Sequence, residues 1–152
     1  MGWLLFIYNS LKNYGLSEIL PQEISKKFKA EYYRVAVENS LLLDGFSKLS
    51  KIITNKIIPL KGIELIQSLY PNVAIRAMGD IDILVEKDYA LDNWNKLLHS
   101  NLEWHSNRAK SILHVIKSLE LDGHLPPIDA KRFWVEIHCN IFGGRRLYEI
   151  SK

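Results

Sequence analysis

The run Asp80-Ile81-Asp82-Ile83-Leu84-Val85 alternates without a break: Asp80, Asp82 and Leu84 fall on one side, Ile81, Ile83 and Val85 on the other. A period of two belongs to the β-strand, whose successive side chains leave opposite faces. A second stretch, from Phe133 to Ile137, alternates in the same way and puts Trp134, Glu136 and His138 on one face. A sheet that carries acids on one side is therefore the constraint that the rest of the chain must meet.

Around these strands the sequence reads mostly as helix. Leu4, Phe6, Ile7, Leu11 and Tyr14 have roughly helical spacing, and Gly15 is placed to stop that helix. Pro21-Gln22-Glu23 opens the next one, proline being well tolerated in a first turn. Within it, Phe28, Tyr32, Val35, Asn39, Leu42, Phe46, Leu49 and Ile53 recur at alternating steps of four and three. Such a stripe gives one long helix an apolar face. Packing against the α/β body is the expected use of that face. Self-association of two chains through 28–53 is the other use that the spacing allows. Asn39 is the single polar break in the stripe.

Ile57-Ile58-Pro59-Leu60 reads as a short buried strand, and Pro59 puts it at a sheet edge or at a strand end. Gly62 then opens a helix through Ile63, Leu65, Ile66 and Leu69, closed at Tyr70-Pro71-Asn72. A further amphipathic helix runs from Asp88, placed to cap it, to about Leu98. The region 101–121 is ambiguous, since Ile112-Leu113-His114-Val115-Ile116 fits strand or helix, and Gly123-His124-Leu125-Pro126-Pro127 is a loop. The expected organisation is an N-terminal helical segment, 1–54, packed on an α/β (α+β) core, 55–152.

With 152 residues, 47% of them hydrophobic, the chain can bury a real core and does not have the make-up of a disordered one. A net charge of +3 suits an anionic ligand but is too small to argue for nucleic acid. Cys139 is the only cysteine, so no intramolecular disulfide forms, which fits a reducing compartment. Trp3-Leu4-Leu5-Phe6-Ile7 is far shorter than the ~20 residues a membrane span requires. It also lacks the basic flank and cleavage site of a signal peptide. A cytoplasmic protein with no membrane partner is the expectation.

The acids carry the candidate chemistry. Two residues apart on a strand, Asp80 and Asp82 have Cα atoms ~6–7 Å apart on the same face, and carboxylates that close repel unless positive charge lies between them. A hard cation such as Mg²⁺ answers that demand with oxygen ligands shared with substrate phosphates. Lys61-Gly62 stands between a strand and a helix, where free backbone N–H groups favour a phosphate. Gly62 allows close approach of the backbone, and Lys61 adds a point charge. Glu136 supplies a third acid that can hold the metal activating the attacking oxygen. An ion pair with Arg76 or Arg132 is its structural alternative. His138 can donate to Glu136 or contact phosphate, or simply pack within the sheet. Arg76 can neutralise the acids or meet a phosphate. His124 is expected to be solvent-exposed, Trp94 and Trp134 to be core, and Cys139 with His138 lacks the companions of a zinc site.

The residues Leu60-Lys61-Gly62, Tyr70-Pro71, Arg76 with Met78-Gly79-Asp80-Ile81-Asp82-Ile83-Leu84-Val85, His124-Leu125-Pro126-Pro127 and Val135-Glu136-Ile137-His138 resemble an uncharacterised bacterial nucleotidyltransferase family. That family belongs to the DNA polymerase beta-like superfamily, and the resemblance spans roughly residues 28 to 142. It implies a nucleotidyltransferase-fold mixed sheet flanked by helices, with Asp80, Asp82 and Glu136 as ligands of two Mg²⁺ ions. It also implies that Gly62 and its helix hold the triphosphate of an NTP substrate. The implied reaction moves a nucleoside monophosphate to an acceptor hydroxyl on a protein, an RNA or a small molecule, with release of pyrophosphate. Two features depart from the pattern. Gly62-Ile63 replaces the Gly-Ser or Gly-Gly of the wider superfamily, so no serine hydroxyl meets the phosphate. Members also tend to be longer, and the stop after Gly143-Gly144-Arg145-Arg146-Leu147-Tyr148 suggests a core that lacks a C-terminal helical part. These departures are what favour the alternative: a catalytically inactive nucleotide-binding or antitoxin-like regulatory module on the same fold.

Overall fold

In a computed structural model, residues 2–100 and 111–141 are described. The element order is α1 (Gly2–Asn13), a 3₁₀ turn (Ser17–Ile19), α2 (Gln22–Ile52), β1 (Ile58–Pro59), α3 (Lys61–Ser68), β2 (Asp80–Leu84), α4 (Lys87–Leu98), α5 (Ile112–Lys117), a π-helical turn (Ser118–Asp122), β3 (Ile128–Asp129) and β4 (Trp134–His138). The four strands form one mixed sheet in the order β1-β2-β4-β3. β2 and β4 are its parallel central pair, and β1 and β3 flank them antiparallel. Pro59 lies in an edge strand, the position open to a residue with no N–H.

The alternation in β2 and β4 is what divides the sheet into two faces. Ile81 and Ile83 of β2 and Val135 and Ile137 of β4 are buried in one core with Leu42 and Leu49 of α2, Ile63 of α3, Trp94 and Leu97 of α4 and Val115 of α5. Each such side chain contributes roughly 1.5–3 kcal/mol on burial. The stripe along α2 serves this purpose. Its lower half enters the main core, while Tyr32 and Val35 join Leu5 and Tyr8 of α1 and Ala74 in a second cluster. The side chains that a second copy would need for pairing are thus covered by the chain's own helices and sheet. Gly45 adds to the fit, since a Cβ there would run into the ring of Phe133.

Asn39, the polar break, is fully buried and uses its whole amide. Nδ2 donates to the carbonyls of Val73 and Arg76 (2.5 and 2.6 Å), and Oδ1 accepts from the Met78 N–H at 3.2 Å. It pins the irregular approach to β2, whose backbone groups have no strand or helix partner of their own.

Several sequence expectations are corrected. Asp88 does not cap α4: the helix begins one residue earlier, Glu86 is the cap residue, and Asp88 sits in the first turn, where its charge still favours the helix dipole. Residues 112–116 are helix, opened by Ser111, whose side chain accepts from the His114 N–H. The two-residue strand β3 lies within a stretch too short to show alternation. The region 101–110 and the chain end around Gly143–Tyr148 lie outside the described residues. Among the described residues, no helix is long and apolar enough to cross a membrane.

Asn39→Ala leaves two carbonyls and one N–H without partners in a dry interior, so it is expected to cost about 2–4 kcal/mol. Urea unfolding followed by tryptophan fluorescence measures it; a loss under ~0.5 kcal/mol would refute the pinning role.

Candidate active site

The parallel register of β2 and β4 sets Asp82 opposite Glu136, Asp80 opposite Trp134 and Leu84 opposite His138. Asp82 and Glu136 are therefore neighbours on adjoining strands, ~4.8 Å apart along the hydrogen-bonding direction. They leave the sheet on the face opposite Ile81, Ile83, Val135 and Ile137. Asp82 is the deeply placed one, with only 1% of its side chain exposed, against 28% for Glu136.

Two basic groups converge on one oxygen of Asp82. Lys61 Nζ donates to Oδ1 at 2.7 Å, and His138 Nε2 lies 2.8 Å from the same atom. His138 Nε2 is also 3.6 Å from Glu136 Oε2, an ion-pair distance longer than a hydrogen bond. Among the described residues, Asp82, Glu136 and His138 form the group whose potential ligand atoms all lie within 4.8 Å of one another. Asp80 is outside that tight group, although it shares the electrostatic field of Asp82, Glu136 and Lys61.

Burial pushes the Asp82 carboxyl upward, but hydrogen bonds to His138 and Lys61 outweigh it and leave the group below its ordinary value. The His138 imidazole beside Glu136 holds that carboxyl low, against the opposing effect of burial. Asp80 is pushed up, first by burial and then by the charge of Asp82, with Lys61 offsetting part of it. Lys61 is raised by its bond to Asp82. His138 is raised from 6.5 to about 9, chiefly by Asp82 and then by Glu136. Three acids thus meet one ammonium and one imidazole whose pKa is raised to about 9.

Lys61 reaches Asp82 from the first residue of α3, with a left-handed backbone at φ 48°. That conformation costs a residue with a Cβ roughly 1–2 kcal/mol. Leu60 N–H donates to the Asp82 carbonyl at 2.9 Å, tying the entry of α3 to β2. Gly62 is buried, and the space beside it is filled by Met78: a Cβ at 62 would come within 2.7 Å of the Met78 sulfur. Glycine at 62 thus leaves the space next to the site that the Met78 side chain fills.

The other expected residues are placed differently. Arg76 is exposed, and among the described residues neither it nor Arg132 makes an ion pair with the acids; Lys61 and His138 take that part. His124 is half-buried, contrary to expectation, with its ring 5.7 Å from that of His138 across an isolated bridge between the two residues. Trp94 is core, its indole donating to the Pro126 carbonyl. Cys139 donates to the Gly123 carbonyl, and its thiol is pushed up by burial. Asn39 is the supporting residue that sequence reasoning left without a role, and the polar break in an apolar stripe is the signal that marks it.

A mixed sheet whose central parallel strands present strand-borne acids beside the start of a short helix is a nucleotidyltransferase-type α+β architecture. The chain belongs to a family described as uncharacterised nucleotidyltransferase, which matches residues 2–151 and so takes in α1 and α2 as well as the strands. No curated protein and no solved structure matches it.

The folded pKa of His138 exceeds its unfolded value, so the stability its pairing contributes is complete below pH 6.5 and is lost as pH rises through about 9. Long-range ¹H–¹⁵N spectra of EDTA-treated protein should show this imidazole protonated at pH 8, and the thermal midpoint should fall across the same window. A His138 resonance that titrates near 6.5 would contradict the described pairing.

Proposed function

We propose that this protein transfers a nucleoside monophosphate from an NTP to an acceptor hydroxyl, releasing pyrophosphate, with a divalent cation at the acids. The observation that supports it most is the pairing of Asp82 with Glu136 on adjoining strands directly beside Lys61 at the start of α3. The residues fit a cation: their donors are carboxylate oxygens and one imidazole nitrogen, and two basic groups already sit on the Asp82 oxygen. Asp82 and Glu136 would hold the ion, with Asp80 adding charge from the same strand; the resemblance suggests Mg²⁺, in two ions. When bound, it would lower the charge on the phosphates and acidify the attacking hydroxyl.

The chain's own groups account for the remaining steps. Lys61 has 57% of its side chain exposed, so its ammonium is free to leave Asp82 for the anionic triphosphate. The backbone at the start of α3 adds a positive dipole end for the same anion. Glu136, the more exposed of the paired acids and with its pKa held low, is ionised at neutral pH and open to an incoming acceptor. In the step itself, the acceptor oxygen forms a bond to the α-phosphorus and the bond from that phosphorus to the bridging oxygen breaks. Pyrophosphate leaves, and the acceptor proton passes to Glu136. Acceptors in three classes suit this chemistry: protein hydroxyls, RNA ends and small molecules.

Incubation with α-³²P-labelled NTPs, divalent cation and candidate acceptors should give labelled product and pyrophosphate. Asp82→Asn, which keeps the shape and removes the charge, should lower the rate by roughly 10³-fold, equivalent to ~4 kcal/mol of barrier. Equal product from the two proteins would end the assignment.

A further inference from the structure

His138 and Lys61 touch the same oxygen of Asp82, yet they are not equivalent. Lys61 hangs on a long stem that is more than half exposed, whereas His138 is 14% exposed and fixed within β4. Its backbone is held on both sides: the His138 carbonyl accepts from Val85 N–H at 2.9 Å, and the residue bridges to His124. Its short side chain thus starts from a fixed point beside the acids, whereas Lys61 has a long exposed stem. An ion that draws the two carboxylates together therefore finds Nε2 already among its neighbours, and its binding there displaces the Nε2 proton to solvent.

The spacing agrees with this. Ligand atoms about 2.1 Å from one ion and at right angles to each other stand roughly 3 Å apart. His138 Nε2 is 2.8 Å from Asp82 Oδ1 and 3.6 Å from Glu136 Oε2. All three ligand atoms fall within 4.8 Å of one another, and Asp80 is not in that group.

We propose that His138 is a nitrogen ligand to the divalent cation, alongside Asp82 and Glu136, and that it makes the site select a transition ion such as Mn²⁺ over Mg²⁺. The proposal rests on the nucleotidyl-transfer reading only in that both place a cation at these acids. Its physical basis is the donor set. Mg²⁺ takes oxygen ligands and parts reluctantly with its waters, whereas a nitrogen donor favours first-row transition ions, among which Mn²⁺ also suits the carboxylates of this site. Lys61, in turn, is the group that yields its place.

The test uses the 152-residue chain treated with chelator, with Mn²⁺ and Mg²⁺ as probes and no nucleotide. Calorimetry should give Mn²⁺ an affinity at least about 10-fold above that of Mg²⁺. His138→Gln, with its fold checked by circular dichroism, should lose about 10-fold or more for Mn²⁺ and far less for Mg²⁺. Electron spin echo modulation of bound Mn²⁺ should show a directly coordinated ¹⁴N in the wild type. Its frequencies should shift when only histidine is ¹⁵N-labelled, a result that needs no substitution and so survives a variant that fails to fold. Mn²⁺ bound without histidine coupling, or no Mn²⁺ binding at all, overturns the proposal. Histidine-coupled Mn²⁺ in a protein that transfers no nucleotide upholds this ligand assignment and instead sinks the reading of the enzyme's reaction.

Discussion

The structure turns on positive charge gathered at one oxygen of a buried aspartate. Asp82 and Glu136 are forced together by strand register, and two carboxylates at that separation in a partly dry site would repel by several kcal/mol without compensation. Lys61 and His138 supply it, both within hydrogen-bond distance of Asp82 Oδ1. A sheet that buries Ile81 and Ile83 on one side cannot avoid presenting Asp80 and Asp82 on the other, because a slip of one residue would send the acids into the core. The apolar half of the strand thus enforces the geometry of the polar half.

Support for that geometry comes from far away in the chain. Asn39, in the middle of α2, holds the backbone of residues 73–78 and so sets where β2 starts. Met78, the last of those residues, packs against Gly62 at the base of α3, next to Lys61. A continuous set of contacts therefore joins the long helix, the approach to β2 and the helix start beside the acids. The N-terminal helices fall within the residues that the family matches, which is what a structural share in the site would require.

The charges gathered around Asp82 have a chemical consequence. With Lys61 and His138 both protonated, the acids are already largely neutralised and shielded from one another. On the proposed reading, a divalent ion would compete with these groups for Asp82, so affinity for cation alone and affinity for a cation–nucleotide pair would not have to run together. On the same reading, the nucleotide would offer Lys61 a new partner and so couple the two binding events through one side chain.

Much of this was legible from the residues alone. The period-two runs at Asp80–Val85 and Phe133–Ile137, the four-and-three stripe along α2, the edge position of Pro59 and the helix after Lys61 all follow from local rules of backbone geometry and burial. They named Asp80, Asp82, Glu136, Lys61 and His138 as candidates. What local rules do not contain is register and distance. That β2 and β4 run parallel, with Asp82 facing Glu136, is decided by long-range packing. So is the placement of Lys61 and His138, rather than Arg76, on the acids, because Arg76 leaves its loop toward solvent while Lys61 turns inward from a left-handed backbone. Sequence determined which side chains share a strand face or a helix face; only tertiary structure, through the pairing of strand residues 54 positions apart in the chain, decided which charges meet.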